Sequence, residues 1–231
     1  MSLVATMKAR SAAAKQSKGD VEGAMKLYQE AIADGMGEPR YILSYSVLLM
    51  RKGEYQKSRE LLVKLQNSPT LTSEQKTTLY VNYAACVYKM GDLPKAIGVL
   101  ERQHIKNPCG LIYETLGYMY VEDGDREKAL SFNLEAIDYD EEDPICLDNL
   151  AQAYYRLAGD KQKAKQYFDK AHALKPTQID TLYFLAQYDL EGGHQKAAKE
   201  KLESALEGRF SPLNYASPED IRGLLNTLPS D

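Results

Sequence analysis

One turn recurs six times along this 231-residue chain, and it constrains the fold more than any other feature. The pairs Gly19-Asp20, Gly53-Glu54, Gly91-Asp92, Gly124-Asp125, Gly159-Asp160 and Gly193-His194 follow one another at spacings of 34, 38, 33, 35 and 34 residues. Five residues after each glycine stands a small side chain: Ala24, Ser58, Ala96, Ala129, Ala164 and Ala198. A period of this length marks a stack of like supersecondary units, none of which buries its apolar side alone. The chemistry of the turn says what the unit is. Glycine reaches the left-handed conformation that ends a helix. The acid after it accepts from the free N–H groups of the next helix and suits that end of the dipole. The small residue one turn later lets two antiparallel helices approach. Apolar residues then recur at helical spacing, as at Leu93, Ala96, Ile97 and Leu100, or Ala164, Tyr167, Phe168 and Ala171. The unit is a helical hairpin.

Composition agrees with a folded, water-soluble array. The chain is 44% hydrophobic and 27% charged, with apolar surface enough to offset chain entropy. Seventeen Tyr against four Phe and no Trp point to packing that uses large rings with one wet end. The net charge is −4, but Lys8, Arg10, Lys15 and Lys18 stand in the first 18 residues without an acid, so the remainder carries −8. An acidic body is ill suited to a phosphate backbone, and nucleic acid is not expected as a partner. Cys86, Cys109 and Cys146 form no CxxC, which fits a reducing compartment and neither a disulfide framework nor a zinc site. No stretch approaches the ~18 apolar residues of a membrane span, and no signal-peptide core is present. Cytoplasmic location is the expectation. Met1-Ser2-Leu3 ahead of a second methionine, Met7, reads as an added leader, with natural sequence extending upstream.

These residues resemble the tetratricopeptide repeat family. Its motif asks for a large residue, Leu-Gly or similar, Tyr, the Gly turn, an Ala, an aromatic, a second Ala and a Pro. The fourth repeat supplies Tyr113, Leu116-Gly117, Tyr120, Gly124, Ala129 and Ala136. The fifth supplies Leu150-Ala151, Tyr154, Ala164, Phe168, Ala171 and Pro176, and the sixth Leu185-Ala186, Gly193, Ala198, Leu202 and Ala205. The resemblance implies an all-α fold, a right-handed superhelical solenoid of about six helix-turn-helix repeats. We expect one array over residues 1–231, with repeats near 5–35, 39–67, 72–106, 108–139, 143–174 and 177–208.

Departures from the motif mark irregularities. Asn133 stands where an aromatic is expected, Ser58 replaces Ala, and the fifth turn carries an extra residue around Ala158. The first repeat's leading helix is Ala- and Lys-rich, without an aromatic. Four extra residues lengthen the junction 67–73, where Thr72 and Gln75 form a capping-box pattern that predicts a helix from about Ser73. After the sixth hairpin, 209–215 reads as a loop. Ser217-Pro218-Glu219-Asp220 then starts a capping helix over 217–228, with Ile221, Leu224, Leu225 and Leu228 as its apolar stripe.

No catalytic set is visible. His104, His172 and His194 lie in different repeats, the first two late in second helices and the third in a turn, and the chain has no GxSxG, P-loop or dinucleotide fingerprint. The acids from Asp138 to Asp143 lack the central Gly and closing Glu of a calcium loop, and suit the N-terminus of a helix starting at Pro144. Cys109 is expected in the first turn of a helix as an inert thiol, with Cys86 and Cys146 as interior residues. Neither enzyme activity, a metal nor a cofactor is expected.

The resemblance implies a binding role instead, because in this family the first helix of each hairpin lines a concave groove. Positions at i, i+3, i+7 and i+10 give Arg40, Leu43, Val47 and Met50 in the second repeat, then Thr78, Val81, Ala85 and Tyr88 in the third. The fourth gives Leu111, Glu114, Tyr118 and Val121; the fifth Ile145, Asp148, Gln152 and Tyr155; the sixth Asp180, Tyr183, Gln187 and Leu190. The expected ligand is a protein or peptide segment with apolar anchors at one end and a Lys or Arg at the other. Family members that grip acidic chaperone tails use a basic set on three successive first helices. Here Ala9, Ala13, Ser44, Val81, Ala85 and Thr115 stand instead, leaving only Asn82 and Asn149. Tyr28, Tyr83, Tyr120, Tyr154 and Tyr167 are expected in the core. The expected function is a protein-interaction scaffold or adaptor. Alternatives are homo-oligomeric self-association through the N-terminal hairpin, and the soluble part of a membrane-tethered assembly whose flank is the basic N-terminal segment.

Overall fold

The structure, a computed structural model, describes residues 3–228; the Met1-Ser2 leader reading and the final three residues lie outside them. It divides into two compact units, Met1–Gln103 and His104–Asp231. Among the described residues there are helices, turns and loops but no strand. The first unit holds α1 (Leu3–Ser17), α2 (Val21–Ala33), α3 (Pro39–Arg51), α4 (Tyr55–Leu65), α5 (Ser73–Lys89) and most of α6 (Leu93–Lys106). The second holds α7 (Gly110–Asp123), α8 (Arg126–Tyr139), α9 (Pro144–Gln152), a π-helical stretch (Ala153–Ala158), α10 (Lys161–Leu174), α11 (Ile179–Glu191), α12 (Gln195–Leu206) and α13 (Pro218–Leu225). Consecutive helices pack as hairpins: α1 on α2 and α3 on α4 in the first unit, α7 on α8, α9 on α10 and α11 on α12 in the second.

The recurring turn does what its residues dictate. All six glycines carry positive φ, from 68° at Gly159 to 93° at Gly91. The carboxylates of Asp20, Asp92, Asp125 and Asp160 accept from the N–H three residues on, at 2.9 to 3.2 Å. Glu54 and His194 occupy the same position without a side-chain cap bond. A glutamate is one methylene too long for that short ring. The difference is measurable: Asp125→Ala should cost about 1 kcal/mol of unfolding free energy, and Glu54→Ala less than about 0.5 kcal/mol. Urea titrations followed by circular dichroism would compare them, and equal losses would count against capping as the role of this acid.

The small residues are sealed inside the array. Ala24, Ser58, Ala96, Ala129, Ala164 and Ala198 are all fully buried. In α1, with no aromatic, Ala5, Ala9 and Ala12 are buried in the same way and pack with Tyr28, Ala24 and Ala31. Asn133 is fully buried, and its amide donates to the carbonyls of Gly117 and Ala129. A Cβ at Gly117 would overlap that amide, so the polar substitution and the glycine belong together.

The irregularities have identifiable forms. Thr72 and Gln75 make the capping box that opens α5. The extra residue of the fifth repeat is absorbed as the π-helical stretch, which ends on Gly159. Such a bulge keeps the helix running while rotating the residues beyond it. Ser217 and Asp220 form the capping box of α13, and Ile221 is buried with Ala198, Leu202 and Ala205. The capping helix runs only from Pro218 to Leu225, within the expected 217–228. Cys109 is the N-cap of α7, not a first-turn residue, while Cys86 and Cys146 are interior.

Tyrosine is used at the boundary of the core. Tyr28 and Tyr120 are buried, whereas Tyr83, Tyr154 and Tyr167 are half-buried. Tyr154 and Tyr167 stack at 5.7 Å, and Lys163 and Lys170 lie over their rings. A phenol suits this place: one face joins the core and the hydroxyl stays wet.

Candidate binding face

The first helices present the residues singled out above, and packing divides them. Val47 on α3, Tyr88 on α5, Glu114 on α7, Tyr155 in the π-helical stretch and Tyr183 on α11 remain partly exposed. Leu43, Met50, Val81, Ala85, Tyr118, Asp148, Gln152 and Asp180 are buried within the chain. For these eight the expectation of a solvent-open position is corrected. The stripe that faces a neighbouring first helix lies closer to the assumed groove positions than the even spacing implied. Asn82 and Asn149 likewise tie helices together, donating to Ser46 Oγ at 3.3 Å and to the Glu114 carbonyl at 2.8 Å.

In the second unit the buried polar residues form a connected network. Arg156, in the π-helical stretch, pairs with Glu122 of α7 at 2.7 Å and donates to Gln152 Oε1 at 3.1 Å. Gln152 donates in turn to Asp148 at 2.7 Å, and Thr181 Oγ1 donates to the other Asp148 oxygen at 2.5 Å. Asp180 accepts from Asn214 Nδ2, Tyr215 N and Ala216 N at 3.0 to 3.1 Å. The Tyr215 ring stacks on Phe184 with centroids 5.2 Å apart, and the Arg156 guanidinium lies over it, 4.1 Å from its centre. Segment 209–216, between α12 and α13, thus occupies part of the α11 surface. Asp180 does not stand open for a partner's basic residue, as the sequence implied, because N–H groups of the chain's own segment fill it.

Electrostatics follow from this burial. Burial pushes the Asp148 carboxyl up to about 7, and the neighbouring charge of Asp180 adds to the effect. Asp180 is also raised by burial, but three N–H donors and Arg156 oppose the rise. Burial therefore disfavours charge on both acids, and the N–H groups around Asp180 oppose that at its carboxyl. A second acid pair lies on α7 and at the start of α9. Burial first, then the charge of Asp143, pushes Glu114 up to about 7, partly offset by Lys175. Asp143 spends one oxygen capping α9, accepting from Ile145 N at 2.8 Å and Cys146 N at 3.1 Å. Leu111, one turn before Glu114, is 37% exposed.

Two other surfaces lie in the first unit. A hollow of about 440 Å³ lies between the second helices α2 and α4, floored by Met25, Ile32, Tyr45, Leu49 and Leu61. On α1, Leu3, Val4 and Met7 stand exposed, on the hairpin to which self-association was assigned. Arg156, Asn214 and Tyr215 were not singled out from the sequence. The extra residue near Ala158 was the one signal for the first, and an irregular loop offers none for the others.

Helical hairpins closed by glycine turns, with buried small residues at each crossing, define the tetratricopeptide-repeat solenoid fold, and solved structures bear this out. MamA residues 41 to the end from Desulfovibrio magneticus RS-1 superimposes with a TM-score of 0.60 at 22% identity, over 77% of this chain and 98% of that one. TTC0263, a thermophilic tetratricopeptide-repeat protein of Thermus thermophilus, gives 0.64 at 19% identity over 82% and 98%. PilW, a type IV pilus biogenesis factor, gives 0.67 at 15% identity over 97% and 100%. No family model and no curated protein sequence matches the chain. Among the described residues, no helix is long and apolar enough to cross a membrane.

Proposed function

We propose that the chain is a non-catalytic scaffold that holds a protein or peptide segment along its first helices, with a basic side chain of that segment seated on Glu114 and Asp143. The reading takes residues 1–231 as one array of six hairpins closed by α13. One observation carries the basic residue: Glu114 lies beside Asp143, and burial together with the repelling charge of Asp143 pushes its carboxyl up to about 7. An arriving Lys or Arg relieves that repulsion and releases the proton. Leu111 and the half-buried Tyr155 and Tyr183 supply the apolar contacts of the same reading. Of the three carboxylates first considered for this role, Glu114 is the one left partly open.

A peptide library selected on the full chain tests this. Selected sequences should carry Lys or Arg beside an apolar residue, and Glu114→Gln should weaken them about tenfold, the size expected of a partly buried charge pair. Binding of the same peptides to the parent chain should strengthen as pH rises from 6 to 8, because Glu114 gains its charge across that range. Selection of peptides without a basic residue, or indifference to Glu114→Gln, would overturn the proposal.

A further inference from the structure

Segment 209–216 is irregular, yet it is bound the way a peptide ligand would be. Its contacts with α11 run from backbone and side-chain N–H groups onto one carboxylate, Asp180. A buried carboxylate is a costly choice for a residue whose work is only to fill space. An aromatic platform and a cation complete the arrangement: Tyr215 lies on Phe184 and beneath Arg156. The π-helical stretch is what carries Arg156 there. Tyr215 keeps 40% of its surface exposed, so its ring rests on the site from outside and is not sealed into the core. Ala216, by contrast, is buried, which sets a small-residue requirement at the third position.

We infer that the α11 surface is a recognition site for a short Asn-aromatic-small peptide, occupied in cis by Asn214, Tyr215 and Ala216. An external segment of the same chemistry enters by displacing the chain's own. The inference rests on the reading that the first helices receive a protein segment, and it adds a site on α11 with its own occupant. A tethered occupant lowers apparent affinity by the fraction of time it vacates the site. Recognition is therefore gated.

The test uses the full chain and a labelled synthetic peptide with the sequence of residues 209–217. In Tyr215→Ser, amide exchange at 215 and 216 should quicken about tenfold or more through loss of the ring contact, while the amides of Leu182 and Leu225 keep their parent rates and report an intact fold. The peptide should bind Tyr215→Ser at least about tenfold more tightly than the parent. Adding Asp180→Asn to that variant should abolish the binding, as should replacing the peptide's tyrosine by serine. Unchanged exchange at 215 and 216 would overturn the inference. So would peptide binding that is equal in parent and variant, or absent from both. Such a failure leaves the Glu114 selection untouched, since that experiment reads α7 and this one α11.

Discussion

Phe168→Ala is expected to destabilise the second unit by about 3–5 kcal/mol, the cost of removing a fully buried aromatic ring and leaving its cavity. Phe168 is fully buried in α10 and stacks on Phe184 of α11 at 4.9 Å. Tyr155 meets Phe184 edge-on at 5.1 Å, and Tyr215 stacks on Phe184 at 5.2 Å. The Phe168 ring therefore meets α11 at Phe184 and Tyr188 and the π-helical stretch at Tyr155, and no single neighbour can collapse into its place. In a repeat array stability is a sum of local and nearest-neighbour contributions. Urea unfolding should accordingly show an early loss of helix, with hydrogen exchange fastest in α9 to α11. Tyr167→Ala, on the same helix but half-buried, should cost clearly less. A loss below about 1 kcal/mol for Phe168→Ala would mean that this stack does not hold the hairpins together.

The second large effect concerns Asp148 and has a definite sign with pH. Its carboxyl is pushed up to about 7 from the ordinary 3.8, through burial and the charge of Asp180. Between those values the folded chain keeps a proton that the unfolded chain releases, so stability falls as pH rises through that window and levels off above it. Below about 4 both states are protonated and the penalty is absent. Asp148→Asn removes the titration; its amide oxygen still accepts from Gln152, and its Nδ2 donates to Thr181 Oγ1 once that hydroxyl turns to accept. It should raise stability at pH 8 by roughly 2–4 kcal/mol and leave pH 4 nearly unchanged. Asp180→Asn should not act alike, because it also replaces one of the two oxygens that accept from the N–H groups of Asn214, Tyr215 and Ala216. Paired denaturation curves at pH 4 and pH 8 decide the matter. A variant whose stability tracks the parent at both would show that Asp148 is ionised in the folded chain at no cost.

The positions of the hairpins, the turns, the capping boxes at Thr72 and Ser217 and the buried small residues could all be read from the chain. Each depends on residues a few places apart, repeated with a constant period. Even the irregular fifth repeat announced itself as one residue too many near Ala158, though not that it would be taken up as a π-helical stretch. The candidate face was legible only in part. Val47, Tyr88, Glu114, Tyr155 and Tyr183 do lie partly open, but spacing along one helix cannot tell which stripe faces a neighbour and which faces water. That is set by how closely adjacent hairpins cross, and hence by side chains some 34 residues away, as at Thr181 and Asp148 or Asn149 and Glu114.

By itself, then, the sequence determined the repeating unit, because helix ends, caps and close helix crossings are local chemistry. Tertiary structure alone decided that Asp148 and Asp180 would be buried side by side. It also decided that Tyr215 would return to lie on Phe184 under Arg156. Both outcomes require burial supplied by distant parts of the chain, and no local pattern encodes the desolvation that gives those carboxylates their character.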